Sequence, residues 1–254
     1  MKIIKDISYT RLGHPEQKLD VHLPEADTFP VFVYFHGGGI INGDKAWDEC
    51  EAFIPGLVER GIAVVSANYR MYPEARYPEF IYDCAAAVAW AHKHMSEYGN
   101  ITGLFVGGSS AGGYLSQMLC FDKKYLGIHK IDADAITGYI HDAGQPTAHF
   151  NVLKERGIDF KRVIIDETAP IYHITEGRNY APMCVLVSEF DAQNRFEQTQ
   201  LMLSTMKHMG ADMEKVEYHF MPGWKHCKYL KVLDTDGKNA FVEIASAFIK
   251  KHTK

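Results

Sequence analysis

Short, nearly continuous apolar runs alternate along the chain with longer stretches of helical character. Pro30–Phe35 (PVFVYF) is β-branched and aromatic and stops at His36-Gly37-Gly38-Gly39. Ile62–Ala67 ends at Asn68-Tyr69-Arg70, Leu104–Val106 ends at Gly107-Gly108, and Cys184–Ser188 ends near Asp191. Ala135–Tyr139 and Val216–Phe220 complete the set of runs. Runs of this kind are expected of parallel strands buried on both faces. The intervening helical stretches are Tyr82–His94, Ala111–Cys120, an amphipathic Arg195–Met209 closed by Gly210, and Ala240–Lys250. Regular alternation of strand and helix predicts an α/β fold with a doubly wound, mainly parallel sheet of about eight strands and helices on both faces. Ile3–Leu23 has room for an antiparallel hairpin at one sheet edge. Residues 140–165 fit the alternation poorly. They mix His, Gly, Pro and charges around a short helical stretch at Phe150–Arg156, either a small insertion or lid over the sheet or an ordinary surface excursion.

Composition narrows the picture. The chain has 254 residues, 46% of them hydrophobic, which suits one globular domain over residues 1–254. A net charge of −5 with scattered cations argues against a nucleic-acid partner. The opening residues lack the apolar core of a signal peptide, and no stretch reaches about 18 uninterrupted apolar residues, so neither a leader nor a membrane span is expected. Five widely spaced cysteines without a CxxC pair read as free thiols, with no metal site. A cytoplasmic protein follows as the expectation; the oligomeric state is left open.

The chemistry concentrates at the ends of the apolar runs. Gly108-Ser109-Ser110-Ala111-Gly112 is a G-x-S-x-G between a strand and an Ala/Leu-rich helix, the setting in which a serine sits on a sharp turn flanked by small residues. Its register centres on Ser110, with Ser109 as the rival. His36-Gly37-Gly38-Gly39 lets backbone approach a substrate carbonyl, so the N–H groups of Gly38 or Gly39, with that of Ala111, are candidates for an oxyanion hole. His36 itself reads as a structural residue that holds the loop by a hydrogen bond. A serine needs a histidine base oriented by a carboxylate. In the chain order Ser, acid, His, the base is His226, in the loop after Val216–Phe220; His219 lies within that strand. The acid is Asp191, with Glu189 as its rival. Ile40, Ile41, Tyr114, Trp224 and the 140–165 segment are candidates for the substrate pocket, and Cys227 beside the base reads as packing.

These residues resemble the carboxylesterases of the hormone-sensitive-lipase-like and related acetyl- or feruloyl-esterase branches of the α/β-hydrolase superfamily. The likeness runs from about Val31 to Ile249. It is carried by His36–Gly39 with Gly43-Asp44, Asn68-Tyr69-Arg70 with Tyr77-Pro78, Asp83, Trp90, Gly107–Gly113, Asp191 and His226. The resemblance implies a Ser110–His226–Asp191 triad, a covalent acyl-enzyme, a small ester as substrate and no cofactor. The chain departs from many such proteins in having Ser109 where they have Asp. Its short N-terminal stretch fits the compact branch of small acetyl esterases, hence short acyl groups. An arylformamidase or peptidase would use the same triad. A non-catalytic ligand-binding protein on the same fold is the reading from another class.

Overall fold

The computed structural model describes residues 1–11 and 13–253. In chain order the elements are β1 (Lys2–Ser8), β2 (Lys18–Leu23), β3 (Thr28–Phe35), α1 (Asp48–Glu59), β4 (Ala63–Ala67), α2 (Glu79–His94), β5 (Asn100–Ser109) and α3 (Ala111–Phe121). Then come α4 (Lys124–Gly127), β6 (Gly138–Asp142), α5 (Phe150–Glu155), β7 (Met183–Phe190), α6 (Arg195–His208), β8 (Val216–Lys225) and α7 (Ala240–His252). The strands form one eight-stranded sheet in the order β1-β2-β4-β3-β5-β6-β7-β8. The β1–β2 hairpin and its junction with β4 are antiparallel; from β4 to β8 every neighbour is parallel.

The period-two geometry of a strand divides the core. In β3, Phe29, Val31, Val33 and Phe35 face the layer of α2, α3 and α6. Phe32 and Tyr34 face the layer of α1 and α7. Helices therefore cover both sides, as a sheet built of near-continuous apolar strands requires.

Three elements differ from the sequence pattern. The fourth parallel strand is β6, Gly138–Asp142, displaced from the Ala135–Tyr139 run. Ala133–Ala135 instead forms a turn of 3₁₀ helix capped by Asp132, which leaves the strand to begin three residues later. The expected insertion thus starts only after Asp142. Helix α1 carries no clear helical signal because Pro55 lies inside it, followed by Gly56. Helix α6 is not amphipathic in the ordinary sense. Its buried residues are Arg195, Gln198, Thr199, Met202 and Met206, so much of its inward face is polar.

Candidate active site

The parallel strands deliver their C-terminal ends to one rim, where an open α/β sheet places its functional loops. Strand β5 ends at Ser109 and α3 begins at Ala111, so Ser110 alone makes the turn. It does so at φ 55° and ψ −111°, a backbone region costly for a residue with a side chain. Close packing allows nothing larger around it. A Cβ on Gly112 would stand 1.9 Å from the carbonyl oxygen of Phe35. The Ser110 N–H donates to the carbonyl of Asp142 (2.8 Å), pinning the turn to β6.

The hydroxyl of Ser110 donates to His226 Nε2 at 2.8 Å. Across the ring, His226 Nδ1 donates to Asp191 Oδ1 at 2.5 Å. The His226 N–H donates to the carbonyl of Phe190 (3.3 Å), so the acid and base loops leave β7 and β8 side by side. The Asp191 side chain is only 2% exposed. Burial alone would raise its pKa. The hydrogen bond and charge of His226, the Ser188 N–H and the charge of Arg195 outweigh that and hold the carboxyl below its ordinary range. Glu189 is turned elsewhere, accepting from the Gly223 N–H at 2.7 Å.

The glycine loop after β3 lies against this turn: a Cβ on Gly37 would be 3.3 Å from that of Ser110. Gly38 and Gly39 have φ of 98° and 68°, and a Cβ on Gly38 would collide with the carbonyl of Asn42. His36 anchors the loop. Its Nδ1 donates to the Gly37 carbonyl (2.8 Å) and its ring stacks on Tyr69 at 4.5 Å, whose hydroxyl donates to the His36 carbonyl. Burial pulls the His36 pKa down to about 4, so its imidazole is neutral. Among the described residues no acceptor pairs with the N–H of Gly38, Gly39 or Ala111, while the Gly39 carbonyl accepts from Asn151 Nδ2 at 2.6 Å.

Ser110, His226 and Asp191 are thus brought into one hydrogen-bonded chain, with Gly38, Gly39 and Ala111 beside it. The expected pocket residues fare differently. Ile40 and Tyr114 are fully buried, against expectation. The Tyr114 hydroxyl is spent on the Thr168 carbonyl at 2.8 Å, and Ile40 packs into the core at φ 64°. Both are packing residues rather than contact surface. Trp224 is half-buried, edge-on to Tyr229 at 6.1 Å. Ile41 is exposed and borders a groove with Tyr72 and Asn151.

Sequence reasoning missed Asp142, Tyr229, Asn151 and Arg195. Asp142 is completely buried behind Ser110, with the Tyr229 hydroxyl on its Oδ1, and burial pushes its carboxyl up to about 6. It is also the register partner of Ser109, across β5 and β6. A carboxylate closing a strand was the available signal for it; the other three meet their partners only through the fold.

Comparison with known proteins agrees with this architecture. A family described as BD-FAE matches residues 19–153. Esterase LipC of Mycobacterium tuberculosis is 27% identical over 235 residues, covering 84% of this chain and 57% of LipC. Carboxylic ester hydrolase LipN of the same organism is 40% identical over 93 residues, covering 36% of this chain and 24% of LipN. The chain therefore spans about a quarter to somewhat over half the length of these curated relatives. Among solved structures, a truncated carbohydrate esterase from gut microbiota superposes with a TM-score of 0.81 at 15% identity, covering 99% of this chain and 96% of that one. A thermophilic esterase of Thermogutta terrifontis, Est2, gives 0.74 at 21% identity over 97% of this chain and 91% of its own. At such identities the likeness speaks for the fold alone. With a family match over more than half of its length and this sheet, the chain belongs to the BD-FAE family of α/β-hydrolases.

Proposed function

We propose that the chain is a serine carboxylic ester hydrolase acting on short-acyl, acetyl-type esters. The observation that carries this reading is the unbroken line Asp191–His226–Ser110 on a strained turn, beside loop N–H groups that have no acceptor among the described residues. His226 Nε2 accepts the Ser110 proton as Oγ attacks the ester carbonyl. Asp191, ionised, fixes the ring with Nε2 toward the serine and stabilises the imidazolium. The developing oxyanion accepts from the N–H groups of Ala111 and of Gly38 or Gly39, supported by the positive end of α3. His226 then returns the proton to the departing alcohol. A water activated by the same ring releases the acid and restores Ser110.

The preference for a short acyl group rests on the crowding above the glycine loop. A Cβ on Gly39 would meet Phe150 Cζ at 3.3 Å and Asn151 Nδ2 at 3.2 Å, so α5 stands directly over it. Wild type is expected to hydrolyse para-nitrophenyl acetate and to take a fluorophosphonate label at Ser110. Ser110→Ala should lose at least about 10⁴-fold in kcat. Equal turnover by both proteins would overturn the assignment. Rates along a series from acetyl to octanoyl should fall with length, and a preference for octanoyl would remove the short-acyl part.

A further inference from the structure

Between the α5 segment and the start of α6 lies a groove of about 200 Å³. Phe150, Lys161 and Arg162 line it from one side; Gln193, Arg195 and Gln198 line it from the other. No aspartate or glutamate is among its lining residues, although the chain as a whole carries a net charge of −5. The groove is therefore a local inversion of the protein's charge.

Arg195 carries the argument furthest. It is only 5% exposed, yet among the described residues its guanidinium has a single partner, the neutral carbonyl of Ala143, and no carboxylate within 4.0 Å. Asp191, the neighbouring acid, is already engaged by His226 and by the N–H groups of Ser188 and Ala192. Asp191 acts on Arg195 only through space, and a buried cation with no carboxylate in direct contact is costly, so an anion in the groove would offset part of that cost. Lys161 and Arg162 are exposed and likewise unpaired among the described residues. Asp159 bonds to the Lys161 backbone N–H, not to its side chain, whereas Arg156 of the same segment is paired with Asp166 at 2.7 Å. The position suits a substrate subsite. Ala192, on one wall, follows Asp191, and Phe150, on the other, abuts Gly39.

We propose that this groove is an anion subsite, and that the esters hydrolysed here carry a carboxylate or another anionic oxygen group, held by Arg195, Lys161 and Arg162. The inference rests on the esterase reading and deepens it to a substrate class. Guanidinium forks match such groups in geometry as well as in charge.

Matched ester pairs test it. On the alcohol side, 4-acetoxybenzoate is compared with 4-acetoxybenzamide; on the acyl side, the para-nitrophenyl hemisuccinate with the butyrate. In one pair the anionic ester is expected to lead in kcat/KM by about tenfold, mostly through KM, the size of one charge-assisted contact. The double variant Lys161→Gln/Arg162→Gln should cut that lead several-fold. Arg195→Gln risks misfolding, so the double variant bears the test. No lead in either pair, or a lead the double variant leaves intact, overturns the proposal. Benzoate binding, followed by calorimetry, separates the two levels of inference. If wild type hydrolyses no ester and Ser110 takes no label, the esterase reading falls. The subsite then stands if benzoate binds wild type and binds the double variant several-fold more weakly, and it falls if benzoate does not bind.

Discussion

At the scale of single residues, the site depends on how little space the nucleophile's turn leaves. Ser110 holds a positive φ because β5, α3 and the end of β3 meet there, and Gly112 is the point of closest approach. In Gly112→Ala the new methyl would lie 1.9 Å from the Phe35 carbonyl, so backbone must move. The expected cost is about 3 kcal/mol or more, with loss of fluorophosphonate labelling. Gly127→Ala, where a Cβ would meet nothing within 4 Å, is the control. Thermal unfolding of both proteins checks this, and a fully labelled, equally stable Gly112→Ala protein would contradict it. Asp191→Asn makes a second prediction. An amide accepts one hydrogen bond less readily and can stabilise the wrong tautomer of His226, so kcat should fall by on the order of 10³–10⁴-fold with the fold unchanged. A loss under tenfold would show that Asp191 does not orient the base.

At the scale of elements, the site depends most on α5, the short helix at Phe150–Glu155 inside the stretch where the strand–helix alternation breaks down. Asn151, on its first turn, donates to the Gly39 carbonyl at 2.6 Å and so fixes how the glycine loop presents its N–H groups. Glu155, at its end, accepts from the Tyr72 hydroxyl at 2.5 Å and ties the helix to the segment after β4. Asn151→Ala should therefore lower kcat by about tenfold or more with little change in KM, because the loop loses preorganisation rather than contact surface. Steady-state kinetics on para-nitrophenyl acetate decides it; an effect confined to KM would reassign Asn151 to binding. The same elements mark what a sequence can carry. Pro30–Phe35 and Cys184–Ser188 announce strands because burial on both faces demands continuous apolar runs. Ser110, His226 and Asp191 were legible because each closes or follows such a run. Helix α1 was not, since Pro55 and Gly56 erase its propensity while tertiary packing of Phe53, Ile54 and Leu57 restores it. Ile40 and Tyr114 were misjudged because proximity in sequence to the glycine loop and to Ser110 says nothing about which way a side chain is buried. The bonds made by Asn151 and the groove lined by Arg195 span elements far apart in the chain, and no local pattern encodes them.

At the scale of the whole molecule, burying ionisable side chains links stability to pH. His36, His141 and His149 are all but completely buried, and burial holds their pKa values down to about 4, 3 and 3. Their rings are committed as neutral bases: His149 Nδ1 accepts from the Asn151 N–H at 3.3 Å, and His141 Nδ1 shares a 2.8 Å bond with the Ser116 hydroxyl. A histidine with a depressed folded pKa contributes its full stability above the unfolded value, about 6.5, and loses it progressively as pH falls below that. Asp142 works in the opposite sense. Its carboxyl is raised to about 6, so its contribution is complete below the ordinary carboxylate pKa and is lost as pH rises through 6. Near pH 5 the unfolded chain thus takes up three protons on these histidines, against about one held by Asp142 in the folded chain. The net uptake of about two protons gives a slope of about 3 kcal/mol per pH unit, with stability falling toward acid. Denaturant unfolding from pH 7.5 to 4.5 should show this decline beginning near 6.5. His141→Gln, which keeps a side-chain N–H donor for the Ser116 hydroxyl but cannot titrate, should make the slope shallower by about 1.4 kcal/mol per unit even if it lowers stability at pH 7.5. A flat profile between pH 7 and 5, or an unaltered slope in His141→Gln, would mean that these rings are not held neutral by the fold.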